Sequence, residues 1–214
     1  MIFYGYFRSS AAYRCRIAFG LKGLAPDFVP VHLRRDGGQQ KSSLYRTLNP
    51  QMLVPAVEED GFVLMQSLAI IEWLDETRQG ARLLPAAADL RAEVRAFSQI
   101  IACDIHPLQN LRVLDCLKAD FGADQAALDR WCQRWITDGL AACEALLDRR
   151  PASAFCFGDE PTLADICLVP QMFSANRFGV DTSAMPRLCA IRTACEALPA
   201  FASAHPEKQP DWEA

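Results

Sequence analysis

The stretch Tyr-Phe-Arg-Ser-Ser-Ala-Ala-Tyr-Arg-Cys-Arg-Ile-Ala, residues 6–18, decides how this chain begins to fold. A short apolar run precedes it and a helical pattern follows it, which predicts a strand that delivers Arg8, Ser9 and Ser10 to a helix N-terminus. Unpaired backbone N–H groups and the helix dipole favour an anion at such a place. Hydroxyl groups there can cap the helix, or they can donate hydrogen bonds to a bound thiolate.

The first 80 residues mix strand and helix patterns. Strands are predicted over residues 2–7, 27–33, 56–59 and 62–65. Helices are predicted over residues 10–22 and from Ser67, which is a good N-cap residue. Asp60-Gly61 separates the last two strands and predicts a hairpin turn. This order is compatible with a mixed four-stranded sheet.

Strand signals nearly vanish after a short connector, residues 81–88. Helices are predicted over residues 90–103, 107–119, 124–147, 162–173 and 185–198. The segment Thr162-Leu-Ala-Asp165 resembles a capping box with Asp in place of the usual Glu. The chain is therefore predicted to have an α/β domain over residues 1–80 and an all-helical domain over residues 89–214.

Composition excludes several classes of function. The chain has 214 residues, 51% of them hydrophobic and 22% charged, with a net charge of -4. These values are typical of globular proteins and argue against a nucleic-acid partner. We expect no membrane partner, because no apolar run approaches the roughly 20 residues that a span needs. The three histidines lack metal-ligand spacing, so no metal is expected.

The nine cysteines are an odd number and include no Cys-x-x-Cys pair. Five of them lie in helical patterns beside apolar residues: Cys103, Cys116, Cys132, Cys143 and Cys167. We interpret these as reduced core thiols and not as a disulfide frame. Together with the absence of a secretory signal pattern, this predicts a cytoplasmic location. Arg14 and Arg16 follow on the first helix; one of them could contact an acidic partner, but most such charges form a solvated helix face.

Two further motifs could bind a ligand near the first helix. A bend at Val54-Pro55, before a predicted strand, would leave the Val54 backbone available to an extended peptide. Gln66-Ser67 opens a second helix, whose N–H groups and hydroxyl would hold a carboxylate. Two anion-favouring helix starts with a peptide-pairing edge between them suit a small anionic peptide thiol.

These segments resemble the zeta class of glutathione transferases, which includes the maleylacetoacetate isomerases. The likeness covers almost the whole chain. It rests on residues 6–18, 36–40, 48–50 with 54–55, 66–72, 107–110, 158–165, 180–181 and 205–206. The resemblance implies a glutathione transferase fold, with a thioredoxin-like N-terminal domain and an all-helical C-terminal domain. It also implies a homodimer and a glutathione cofactor.

The resemblance implies a role for each matching residue. Ser9 would donate its hydroxyl to the glutathione sulfur, assisted by Ser10 and the backbone of Ala11. Residues implied to hold the rest of the peptide are Gln40, Val54, Pro55, Gln66 and Ser67. Residues implied to act from the helical domain are His106 and Asn110, at the mouth of the site. Residues implied to face a small acidic substrate are Arg8 and Arg177.

The resemblance favours cis–trans isomerisation of maleylacetoacetate, by thiolate addition, rotation and elimination. The sequence departs from the zeta pattern where Ala11 replaces the usual Cys and Tyr13 the usual Trp. His106 is more similar to the bacterial maleylpyruvate isomerases, so that activity stays open. A general glutathione transferase acting on α-halo acids and a non-catalytic binding protein stay open as well.

Overall fold

The computed structural model describes residues 1–213. Its four strands are β1 (Ile2–Gly5), β2 (Asp27–Pro30), β3 (Ala56–Glu59) and β4 (Phe62–Met65). Its α-helices are α1 (Ser10–Leu21), α2 (Ser43–Leu48), α3 (Ser67–Thr77), α4 (Ala88–Gln99), α5 (Leu111–Phe121), α6 (Gln125–Asp148), α7 (Leu163–Arg177), α8 (Pro186–Glu196) and α9 (Pro199–Ala204). No helix in this range is long and apolar enough to cross a membrane.

The chain forms two compact units. One contains Met1–Leu83 together with the C-terminal segment that starts at Ala197, and the other is Leu84–Glu196. The sequence pattern grouped the segment from Ala197 with the helical domain, whereas the structure places it in the first unit, where α9 packs against α1. Ala214, which the prediction included in the second domain, lies outside the described residues.

The first unit is built on a mixed sheet in the order β2-β1-β3-β4. Strand β1 pairs in parallel with β2 and antiparallel with β3, and β3 pairs antiparallel with β4. The turn between β3 and β4 is the predicted one, since Asp60 and Gly61 both have positive φ, at 51° and 82°. The sheet and hairpin confirm the expected thioredoxin-like topology.

Helix α1 packs against both α3 and α9 within this unit. Ile17, Ile70, Ile71 and Leu74 are fully buried. A Cβ on Gly20 would lie 3.0 Å from Ala200, so this glycine permits the close approach of α1 to α9. Helix α9 was not predicted, and nor was α2, because each is only six residues long.

The second unit is helical, as predicted, but two of its helices are interrupted. The helix predicted over 90–103 is α up to Gln99 and then continues as a π-helix, Ile100–Ile105. The helix predicted over 107–119 begins as a 3-10 turn, His106–Gln109, and α5 starts only after Asn110. Pro107 lacks the N–H that a continuous α-helix would use there, which explains the tighter turn.

The predicted capping box at the start of α7 is confirmed. Asp165 accepts hydrogen bonds from the backbone N–H groups of Thr162 and Cys156, each at 2.8 Å. The hydroxyl of Thr162 caps the helix by accepting from Ala164 N–H at 3.3 Å. Burial raises the pKa of Asp165, although these hydrogen bonds lower it.

The cysteines are only partly as predicted. All nine are free, so no disulfide frame is present. Cys132, Cys143 and Cys167 are buried, which confirms them as core thiols. Cys103 and Cys116 are exposed, so the prediction that they lie in the core was wrong. Both lie on helical segments whose outer face is accessible, and apolar neighbours in the sequence do not reveal which face that is.

Candidate functional site

Ser9 lies where β1 has ended and α1 begins. Its extended backbone (φ -70°, ψ 117°) makes it the N-cap, and its Oγ accepts the Ala12 N–H at 3.2 Å. The two roles considered from the sequence are therefore compatible. A hydroxyl that accepts as a cap keeps its own hydrogen, and the Ser9 O–H donates to no partner in residues 1–213. It is available to a ligand atom.

The neighbours of Ser9 differ in exposure. Arg8 is exposed, and its guanidinium lies 5.2 Å from the centre of the Phe7 ring. Ser10 is the first residue of α1, and Ala11 is buried behind it. The helix N-terminus therefore combines hydroxyls and backbone N–H groups with the nearby cation of Arg8, and the buried Ala11 lies behind them.

Gln66 and Ser67 open helix α3, but not as predicted. The N-cap position belongs to Gln66, which has a φ of 74° and makes no side-chain cap, and Ser67 is the first helical residue. Ser67 is 6% exposed, and its Oγ accepts a hydrogen bond from Nη1 of Arg14 at 3.3 Å. The hydroxyl is therefore held by a cation from α1.

Arg14 and Arg16 are buried, which corrects their interpretation as a solvated face. Arg14 is 1% exposed and Arg16 8% exposed. Arg16 donates to three carbonyl oxygens, those of Tyr6, Phe7 and Ala204. Burial lowers the pKa of Arg16 to about 10. We misread one signal in the sequence. The apolar residues of α1 lie on every side of the helix, so the helix has no polar face on which a charged side chain could reach solvent.

The Val54-Pro55 segment lies at the entry to β3, and its peptide bond is cis. The sheet register begins at Ala56, so the Val54 backbone lies outside the ladder. The preceding loop is fixed at Leu53, whose carbonyl accepts from the Tyr45 hydroxyl and from the Asn49 amide, each at 2.7 Å. Sequence reasoning missed this positioning role of Asn49, which is 1% exposed.

Gln40 is buried in the same unit, on a 3-10 turn, Gln39–Lys41. Its Nε2 donates to the Leu33 carbonyl at 3.2 Å. Its Oε1 is buried and has no hydrogen-bond partner within residues 1–213. The resemblance assigns this side chain to the ligand. Its Nε2 is used by the fold, and its Oε1 can still accept a hydrogen bond.

Three of the predicted site residues belong to the second unit. His106 is half-buried at the start of the 3-10 turn. Asn110 caps α5, because its Oδ1 accepts from Arg112 N–H at 3.2 Å. Arg177 is the exposed last residue of α7, with its guanidinium 4.6 Å from the centre of the Phe178 ring. All three residues therefore lie at the ends of helices or turns in the second unit.

A hydrogen bond links helix α1 to the start of α3 in the first unit. Arg14 lies one turn beyond Ser10, about 6 Å along the axis of α1, and its guanidinium contacts Ser67, the first residue of α3. Each of the two helix starts has a serine hydroxyl, and a side chain of α1 connects them. Such an arrangement can bind two anionic groups of one extended ligand.

The chain matches known families over both units. The N-terminal domain of glutathione S-transferase matches residues 8–77, and the C-terminal domain matches residues 125–202. The maleylacetoacetate isomerase of Rhizobium meliloti (strain 1021) is 49% identical over 207 residues, which cover 97% of this chain and 96% of that protein. A bacterial maleylpyruvate isomerase described as a zeta-class glutathione S-transferase in its holo structure is 47% identical, with a TM-score of 0.95 over 99% of each chain. This chain belongs to the zeta class of glutathione S-transferases.

A second solved structure shows which ligands a similar protein binds. The maleylacetoacetate isomerase from Methylobacterium extorquens AM1, with bound malonate and glutathione, is 39% identical to this zeta-class chain. The two superpose with a TM-score of 0.95 over 100% of each chain. A protein with this backbone therefore accommodates malonate and glutathione together.

Proposed function

We propose that this zeta-class chain is a glutathione-dependent isomerase that converts maleylacetoacetate to fumarylacetoacetate in tyrosine and phenylalanine catabolism. The observation that carries the proposal is a pair of helix N-termini in the first unit. The first has the free hydroxyl hydrogen of Ser9, and the second has the Arg14–Ser67 hydrogen bond. Glutathione has a thiol and, at its γ-glutamyl end, a carboxylate. The donors present fit both groups.

The residues of this chain would bind and orient that cofactor. Ser9 donates its hydroxyl to the sulfur, with Ser10 and the Ala11 N–H beside it at the helix N-terminus. Ser67 donates to the γ-glutamyl carboxylate. The Val54 backbone, outside the sheet ladder, is suited to pair with the peptide backbone. Gln40 and Gln66 add amide groups on either side of it.

When bound, glutathione supplies a thiolate that adds to the cis double bond, permits rotation and is then eliminated. A free thiol titrates near 8.5, so Ser9 and the helix N-terminus serve to hold it deprotonated at neutral pH. Arg8 and Arg177 would bind the two carboxylates of the substrate, because guanidinium groups pair with carboxylates bidentately. His106 and Asn110 would complete the site as further donors.

Maleylpyruvate isomerisation is the second candidate, and one observation favours it. That observation is His106, the residue at which the sequence resembles the bacterial maleylpyruvate isomerases. The backbone does not favour either substrate, because a maleylpyruvate isomerase and a maleylacetoacetate isomerase both superpose on this chain with a TM-score of 0.95. Both substrates are cis-alkene dianions, so the same Ser9 and arginine chemistry serves either. The choice between them depends on the side chains that meet the rest of the substrate.

We also propose that the chain is a cytoplasmic homodimer. Nine free cysteines support a reducing compartment. The homodimer is inferred from the resemblance to the class, and large apolar side chains exposed on the first unit, Leu44 and Phe62, are compatible with a covered surface.

Parallel assays test the function directly. Purified protein is supplied with maleylacetoacetate or maleylpyruvate, with and without glutathione, and the trans product is followed. We expect turnover only with glutathione, which is recovered unchanged at the end. Net consumption of glutathione would identify a conjugating transferase instead. Failure to turn over either dianion while still binding glutathione would identify a binding protein.

A further inference from the structure

Helix α1 and its C-cap residue contain three buried cations, and they differ in how the fold satisfies them. Arg16 donates to three carbonyls, and Lys22 forms an ion pair with Asp75 at 2.8 Å. Arg14 makes a single hydrogen bond, from Nη1 to Ser67, and its Nε and Nη2 atoms are buried without a partner in the described residues. It also has no carboxylate within ion-pair distance in that range.

A buried charge without a counter-ion is costly, and two unused guanidinium donors add to that cost. Contacts within residues 1–213 therefore account for Arg16 and Lys22 but not for Arg14. An anion at the N-terminus of α3 would supply the missing negative charge beside it. Ser67 connects the guanidinium to that N-terminus, because it is the first residue of α3 and its hydroxyl accepts the hydrogen bond from Arg14.

The hydrogen bond also fixes what Ser67 can do. A hydroxyl has one donor hydrogen and two acceptor lone pairs. Because the Arg14 N–H occupies a lone pair, the Ser67 hydrogen must point elsewhere, and it reaches no acceptor within residues 1–213. Ser67 is thus oriented as a donor, with a cation behind it that strengthens this donor.

We propose that Arg14 is a positioning residue for the γ-glutamyl carboxylate of glutathione, acting through the hydroxyl of Ser67 and through its uncompensated charge. The inference rests on the proposed function. It extends that function by assigning recognition of this carboxylate to a buried pair of residues from two helices, rather than to the helix N-terminus alone.

Calorimetry with two glutathione analogues tests the proposal. Glutathione is compared with γ-aminobutyryl-cysteinylglycine, which lacks the α-carboxylate of the γ-glutamyl residue and keeps its amino group, and with the α-amide of glutathione, which lacks only the carboxylate charge. We expect the wild-type protein to prefer glutathione to both, and Arg14→Met to reduce that preference by about tenfold or more. The effect of Arg14→Met should be smaller in a Ser67→Ala background, because the part of the effect that acts through the Ser67 hydroxyl is then already lost.

Stability without ligand separates positioning from packing. If Arg14 serves the ligand, Arg14→Met should unfold at the wild-type temperature or above it, since it removes an unpaired buried charge, and should gain less stabilisation from added glutathione. Arg14→Lys keeps the charge and should retain part of the preference. The matched control is Arg16→Lys, on the same helix, which should lower stability and leave the preference intact.

An Arg14→Met protein that keeps the wild-type preference would overturn the inference, and would fit an arginine that merely holds a buried water molecule. If Arg14→Met does not fold, full wild-type preference in Arg14→Lys would overturn it equally. A wild-type protein that does not bind glutathione at all would overturn the proposed function, and this inference with it. The two failures are therefore distinguishable.

Discussion

At the scale of single residues, the hydroxyl groups of two serines can accept one hydrogen bond and donate another at the same time. Ser9 accepts a backbone N–H as a helix cap and still has a hydrogen to donate. Ser67 accepts from a buried guanidinium and is likewise left as a donor. A structural role and the proposed ligand-binding role therefore coincide in the same hydroxyl groups, and a test of one role must control for the other.

Replacing Ser9 by Ala should lower turnover at pH 7 by about tenfold to a hundredfold, because a hydrogen bond to a charged group is worth about 1.5–3 kcal/mol. The activity should recover in part at higher pH, where the bound thiol ionises without help. Ser42→Ala is the matched control, since Ser42 caps α2 through Tyr45 N–H at the same 3.2 Å. Unchanged Ser9→Ala activity at pH 7 would assign the task to Ser10 or the helix N-terminus.

Arg177→Ala should lower kcat/KM for the diacid substrate, by an amount that corresponds to a loss of about 2–4 kcal/mol in transition-state binding. It should leave the conjugation of a neutral electrophile unchanged, because only the diacid loses a charged partner. Arg177→Lys should restore part of the activity. The control is Arg134→Ala, an exposed arginine on α6. Equal losses on both substrates would point to packing instead.

At the scale of elements, the start of α7 depends on one buried carboxylate. Asp165 is 0% exposed and holds the N–H groups of Thr162 and Cys156. It thereby joins the helix to the segment that precedes it. The sequence pattern predicted the contact with Thr162, and the fold added the one with Cys156.

Asp165→Asn should destabilise the protein by about 2–3 kcal/mol, because an amide NH2 must then face a backbone N–H donor. The folded-state pKa of Asp165 is raised, so its titration contributes stability at low pH that is lost as pH rises through that pKa. The stability lost by the Asp165→Asn substitution should therefore be smaller at neutral pH than in acid. Thermal unfolding measures both effects. Asp124→Asn, at the exposed N-cap of α6, should be nearly neutral, and an equal loss there would contradict the argument.

At the scale of the whole molecule, the class resemblance predicts a homodimer. Light scattering at micromolar concentration should give a mass about twice the 23.8 kDa of one chain. A mass of one chain would contradict the prediction. The Ser67→Ala protein provides a control, since a change at the N-terminus of α3 should alter glutathione affinity and leave the mass unchanged.

Local physics let the sequence determine much of this protein. The strand, turn and helix of residues 1–22, the Asp60-Gly61 hairpin and the Thr162–Asp165 capping box each depend on neighbours a few residues apart, and all three are present. The family pattern added the zeta-class fold, because it recorded long-range packing that periodicity does not.

Only the tertiary structure decided which charges are buried and what they contact. Arg14 meets Ser67 across 53 positions of sequence, and Arg16 meets Ala204 across 188. The segment from Ala197 packs with the first unit, which no local pattern indicates. Burial depends on what covers a helix from elsewhere in the chain. For that reason the sequence was enough to locate the serines at the two helix starts, whereas only the fold showed that Arg14 contacts Ser67.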